Sequence, residues 1–241
     1  MIAIYPVHKV IRVSGKEFKL INEDVRLHLF NPGVATFTVQ SEQKLSGIVH
    51  FSLGYDPDKL QRYFIGFIEN SMALDGQQQQ LFCRELSATL NRLLPLNLRN
   101  VTLNETLEAI SQDSGLVFVT PEQDYSNTKA PSFYSMGGGY HCMDSLAKVF
   151  SIDQLLWQQQ GDGRIYVGSW QHSYWVNKPA EIPSEWQTGF GVANRSRIPV
   201  IPKIRPGVLL STGETITQVH LDQNHINLTW SKKPWMKRLK K

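Results

Sequence analysis

Gly137, Gly138 and Gly139 stand directly before Tyr140, His141 and Cys142. Adjacent glycines let a backbone wrap around a phosphate, and an imidazole beside a thiol supplies two groups that nucleophilic catalysis or zinc binding asks for. The surrounding sequence supports neither reading. The glycines are not followed by the Lys-Ser or Lys-Thr of a phosphate-binding loop and do not follow a clear apolar strand, so the expectation is a flexible loop tip. On an extended backbone His141 and Cys142 point to opposite sides and cannot act on each other. Cys83 would add a third soft ligand only at irregular spacing, and the two cysteines read as reduced, semi-buried thiols.

The other titratable residues point the same way. His8, His28, His50, His172, His220 and His225 are scattered among strands and loops, where a partly exposed, hydrogen-bonded imidazole is the ordinary state. Glu105 and Glu108 lie near the start of an expected helix and favour its dipole, while Asp153, Asp162 and Asp222 are turn residues. No pair of carboxylates is arranged for general acid and base work. The expectation is a protein that is not an enzyme, with no catalytic residue, no metal site and no cofactor.

The elements that would position these residues are mostly short strands. KVIRVSGKEFKLI reads as a hairpin turning at Ser14-Gly15-Lys16, followed by strands in VRLHLF, ATFTVQ, SGIVHFSLGY and RYFIGFIENSMAL. Residues 77–95 change character, with leucines at partly helical spacing ended by Pro95. VTLNETLEAISQDSGLVFV then predicts a helix capped by Asn104, with Leu103, Leu107 and Ile110 on one face and Gly115 past its end, and a short strand from Leu116 to Val119. A polar loop from Pro121 to about Tyr140 leads to a second helix in MDSLAKVF and a hairpin closed by Gly161-Asp162-Gly163. Three more strands end the chain. The organisation expected is a first β-barrel module over 1–82, an α+β insert over 83–170, a second β module or completion of the first barrel over 171–230, and a basic tail over 231–241.

That tail governs the charge. Lys232, Lys233, Lys237, Arg238, Lys240 and Lys241 are six cations against a net charge of +4, which leaves −2 for the other 230 residues. The high isoelectric point therefore belongs to the tail and does not by itself mark a nucleic-acid-binding domain. No window approaches eighteen uninterrupted apolar residues, and the N-terminus alternates instead of showing a basic segment before an apolar block, so neither a membrane span nor a secretory signal is expected. All six tryptophans fall in the second half, and the candidate partner-interface residues are the loop tryptophans Trp175 and Trp186 with Lys232, Lys233, Trp235, Met236, Lys237 and Arg238 of the tail.

The order of parts carries a resemblance. NPGVATFTVQ, LSGIVHFSLGYD, RYFIGFIENS, LFCRELSATLNRLLPLNLRNVTLNETLEAISQDSGLVF, LLWQQQGDGRIYVGSW and IPVIPKIRPGVLLSTGETITQVHL together resemble the baseplate hub proteins of tailed bacteriophages, over roughly residues 25–230. The resemblance implies an α+β, mainly β chain with two tail-tube-like β-barrel modules and a small α+β insert. It also implies a structural virion protein at the tail tip, made in the host cytoplasm and assembled as a homotrimeric ring. The implied partners are a distal tail or tail tube protein above and a central spike or fibre below, with a tape-measure protein as a further contact. Genomic DNA would pass through the channel without sequence-specific binding, and a lumen that is neutral to acidic fits the −2 body. One departure is that the chain stops soon after Trp230 without the additional module of longer hubs, which argues against a cell-wall hydrolase. The two helix-strand units are also similar to the short peptide-binding N-domains of secretins and TonB-dependent receptors.

Overall fold

A computed structural model describes residues 6–186 and 194–237. The chain divides into two compact units. One runs to Glu85 and resumes at Pro179, and the other spans Leu86–Lys178.

In the first unit the strands are β1 (His8–Val13), β2 (Lys16–Phe18), β3 (Leu20–His28), β4 (Val34–Gln40), β5 (Ile48–Gly54), β6 (Gln61–Ala73) and β7 (Gln78–Glu85). Ser14 and Gly15 both take positive φ, which is the backbone that a two-residue hairpin turn requires. Only Lys19 separates β2 from β3, so the two act as one long strand. β1 pairs with its first part and β4 with its second, while β4, β7, β6, β5 and β1 follow one another in antiparallel register. The circuit closes a six-stranded barrel. Alternating residues fill it, with the rings of Phe37 and Phe51 5.0 Å apart and Phe37 and Phe64 5.9 Å apart.

Residues 77–95 are not the partly helical stretch that their leucines predict. β7 lies between β4 and β6, and Gln79, Leu81, Cys83 and Glu85 alternate inward, so the period of two wins over the leucine spacing. Only Leu86–Leu90 turns into a short 3-10 helix.

The unit's later part adds three strands to the same sheet. Their labels follow from the intervening unit, whose elements are β8 (Leu96–Val101), α1 (Leu103–Ser114), β9 (Phe118–Val119), α2 (Asp124–Asn127), β10 (Ala130–Ser135), α3 (Gly139–Val149), β11 (Leu155–Gln159) and β12 (Ile165–Ser169). β13 (Arg195–Pro199), β14 (Thr215–Asp222) and β15 (His225–Ser231) then continue from β3 in the order β3-β14-β15-β13. β14 pairs with the second half of β3, beyond the stretch of β2 that β1 occupies.

The Leu86–Lys178 unit packs α1 and α3 with a two-stranded sheet, β10-β8, and a three-stranded sheet, β11-β12-β9. Leu103, Leu107 and Ile110 are all buried, as the helical spacing predicts. The cap is Thr102 and not Asn104. Thr102 accepts from the Glu105 backbone and the Glu105 carboxylate reaches back to Thr102, which makes a capping box. Asn104 instead accepts from the Thr120 hydroxyl at 2.7 Å. Gly115 adopts φ 72° and donates to Ser111, ending the helix as expected.

The polar segment before Tyr140 holds more structure than its serines suggest. Among the described residues β10 pairs only with β8, and a strand with one free side can accommodate Pro131. The glycine run is no loop tip either, because Gly138 forms a bridge with Leu93 and Gly139 opens α3. A Cβ on Gly139 would sit 2.4 Å from the Leu90 carbonyl oxygen. Gly139→Ala is therefore expected to cost about 2 kcal/mol through overpacking, read from the urea midpoint, and an unchanged midpoint would contradict the close approach.

Candidate functional site

The groups that could have done chemistry are dispersed. Cys83 and Cys142 are both buried free thiols, in different units. Burial pushes the Cys83 thiol up to about 12 and raises that of Cys142, so neither is a thiolate at neutral pH. His141 and Cys142 occupy successive positions of α3, not an extended backbone, and Cys142 faces the core while His141 is exposed. Among the described residues no group of three or more His, Cys, Asp or Glu side chains is placed to hold a metal ion. No helix among them is long and apolar enough to cross a membrane.

The polar surface of the first unit is more organised. Val25, Leu27, Val219, Leu221, Ile226 and Leu228 are buried on one face of the sheet β3-β14-β15-β13. Period two then sends their neighbours outward, and the register lines them up. Arg195, Thr229, Gln218 and His28 form one row across the four strands, and Arg197, Asn227, His220 and Arg26 form the next. Part of this face is a shallow depression of about 470 Å³. Asp24 receives a hydrogen bond from Arg26 Nε at 2.8 Å and lies 2.9 Å from His220 Nε2. Burial alone would raise the Asp24 carboxyl, yet the bonds to Arg26 and His220 hold it below its ordinary value. The signal for this face was present in DVRLH, RSRIP, QVHLD and HINLT as alternation, but cross-strand register is invisible in a single sequence.

The candidate interface residues distribute as follows. Trp175 is half-buried with its ring 5.1 Å from that of Tyr174, at a steep angle. Lys178 stands over the Tyr174 ring at 4.1 Å. Trp186 is half-buried in a single 3-10 turn, Ser184–Trp186, of the other unit. In the tail, Lys232 lies 3.8 Å from Glu214, and the Lys233 backbone donates to Ser231. Pro234–Lys237 forms another 3-10 turn, from which Trp235 packs edge-on against Phe30 with ring centroids 4.8 Å apart. Met236 is exposed, and Arg238 lies outside the described residues. The structure thus joins Lys232, Lys233 and Trp235 to one sheet and places Trp175 in a different unit.

Glu85 is a buried acid with a large shift. Its carboxylate accepts from the Gly33 N–H at 2.6 Å, and Arg205, itself buried, donates to the Tyr63 carbonyl beside it. Burial raises the Glu85 pKa to about 7 against the opposing pull of Arg205 and of the Gly33 bond.

Comparison with known proteins follows this architecture. A crystal structure of a 43 kDa tail protein from prophage MuSo2 of Shewanella oneidensis superposes with a TM-score of 0.68 at 8% identity, covering 93% of this chain and 97% of that one. The fold is that of a phage tail protein. A tail protein from Neisseria meningitidis MC58 has the same fold, with a TM-score of 0.67 at 12% identity and coverage of 96% and 98%. An E. coli type VI secretion component, described as structurally similar to the T4 tail proteins gp27 and gp5, gives a TM-score of 0.61 at 11% identity over 91% of this chain and 76% of that one. In sequence, the chain is 29% identical over 214 residues to an uncharacterised 58.7 kDa protein of Haemophilus phage HP1 and spans about 40% of that relative's length. No family model matches the chain. The tail-protein fold extends over both units and agrees with the α+β, mainly β class expected from the sequence.

Proposed function

We propose that the chain is a structural hub of a phage tail, forming a homotrimeric ring at the distal end of the tail tube. In this reading a distal tail or tube protein meets one side of the ring, a central spike or fibre meets the other, and genomic DNA passes through the centre. The observation that carries it is the closed barrel with a three-strand extension, in a chain whose fold matches tail proteins over nearly its whole length. A closed barrel has no edge of its own, whereas β13 ends the sheet with one side unpaired among the described residues. That leaves an edge on which subunits could join in a cyclic, heterologous arrangement. The fold shared with a type VI component that is described as similar to T4 tail proteins supports a place in the tail. Trp175 and Trp186 serve as contacts to neighbours in this reading, since half-buried tryptophans are common interface anchors.

The test is the mass of the purified chain by light scattering, followed by negative-stain imaging. A particle of three 27.5 kDa subunits with an open centre is expected. A monomer at all concentrations, both alone and with a purified distal tail protein, would sink the ring.

A further inference from the structure

We infer that the outer face and open edge of the β8-β10 ribbon form a contact surface for a second copy of this chain, seated in the neighbour's cleft between α1 and β9. The inference rests on the ring reading and names one of the ring's joints.

The ribbon presents an apolar face to solvent. β8 and β10 pair Asn97 with Tyr134 and Arg99 with Ser132, and the bridge between Leu93 and Gly138 keeps the same register, which sets Met136 opposite Pro95. Leu94, Leu96, Leu98 and Phe133 turn inward to the core, so the period of two sends Leu93, Pro95, Tyr134 and Met136 outward as neighbours. Leu93, Met136 and Tyr134 are 75%, 66% and 65% exposed, more than any other large hydrophobic side chain among the described residues. A contiguous apolar group of this kind marks contact with another protein. The face measures about 20 Å by about 10 Å, roughly a quarter of the ~800 Å² that each partner contributes to a standard interface. It is therefore one part of a joint and too small to hold two chains alone.

A complementary surface lies in the same unit. α1 and β9 flank a cleft of about 230 Å³ lined by buried Leu107, by Glu108 and Ser111, and by Phe118 and the exposed Val117. On one side of β9 the Val117 carbonyl accepts from the Ile165 N–H of β12, so the Phe118 N–H and carbonyl point to the side where no described strand pairs. The part of α1 along the cleft, Asn104 to Ser111, is about 10 Å long and matches about three residues of extended chain. Tyr134 to Met136 is such a stretch, and β10 too is unpaired on its far side among the described residues.

Charge agrees with this pairing. Arg99 is the one charged side chain on the ribbon's outer rows and Glu108 the one lining the cleft. Both are exposed, and neither is in an ion pair among the described residues. A second copy supplies the apolar cover, the strand edge and the opposite charge together. Two different surfaces of one chain that fit each other make a heterologous contact, the kind that closes rings.

Cysteine cross-linking tests the joint, since Cys83 and Cys142 are both buried. Tyr134→Cys and Val117→Cys chains, co-expressed and oxidised with and without purified distal tail protein, should give a disulfide-linked pair of chains that neither variant gives alone. Arg99→Glu should lower the trimer fraction at fixed concentration severalfold by light scattering, and Arg99→Glu with Glu108→Arg should restore it, with the urea midpoint unchanged in both. A trimer that yields no cross-link, or in which Tyr134→Cys links to itself, would overturn this joint and leave the ring standing. A chain that stays monomeric with and without the distal tail protein would overturn both. A trimer untouched by Arg99→Glu that no longer binds the distal tail protein would also overturn the joint and assign the ribbon to that protein.

Discussion

Leu107→Asp is expected to destabilise the Leu86–Lys178 unit by about 5 kcal/mol, enough to unfold it in an otherwise native chain. Leu107 is 3% exposed and lies among Leu103, Ile110, Phe133, Met143 and Leu146. Removing a buried leucine costs about 2–5 kcal/mol through lost transfer energy and the cavity left behind. The new carboxyl adds the cost of a buried polar group without a partner. Hydrogen exchange distinguishes the outcomes, since protection should vanish across α1, β9 and β11-β12 and persist in the strands of the barrel. Protection retained in α1 would mean that the helix face is not the keystone of its core.

Glu85→Gln should remove about 3 kcal/mol of pH-dependent destabilisation relative to the wild type between pH 4 and pH 8. The sign follows from linkage. With a folded pKa of about 7 against an ordinary 4.5, the native state binds more protons than the unfolded state between these values. Stability from this group is complete below 4.5 and is lost as pH rises through about 7, at about 1.4 kcal/mol for each tenfold difference in proton affinity between the folded and unfolded chain. Glutamine keeps an oxygen for the Gly33 N–H and does not ionise. Glu23 is shifted upward as well, by burial against the bond from Lys9, so a smaller fall should persist in the variant. Urea titrations of both proteins at several pH values provide the comparison. Parallel pH profiles for the two chains would show that Glu85 stays ionised in the fold.

Both sites show what a sequence can and cannot disclose. The helix around Leu107 was legible because its spacing, its terminal glycine and its neighbours all agree, and only the capping residue moved, from Asn104 to Thr102. The strand β7 was not, since its leucines sit next to those of the following turn and mimic a helical period until flanking strands fix its register. Glu85 could not be recognised, because its burial depends on Gly33 and Arg205, which lie 52 and 120 positions away in the chain. The outward rows of the extension failed for a related reason. Each strand displays its own alternation, but only pairing puts Arg197, His220 and Arg26 in one line. The tail was legible as charge, and its anchorage through Trp235 on Phe30 was not.

The shared edge of the long β2-β3 strand has a consequence for synthesis. β1 takes its first part and is made at once, but the partner of its second part is β14, and His220 meets Asp24 across 196 positions. At a ribosomal rate of about 5–20 residues per second, that half-edge waits roughly 10–40 s after it emerges. The barrel can close and the Leu86–Lys178 unit can fold from local contacts during this interval, while the waiting edge offers its backbone to any β14 within reach. A nascent neighbour on the same message carries an identical β14. The final strands are therefore the part of this chain most exposed to exchange between copies, and the intramolecular product is favoured by tethering alone.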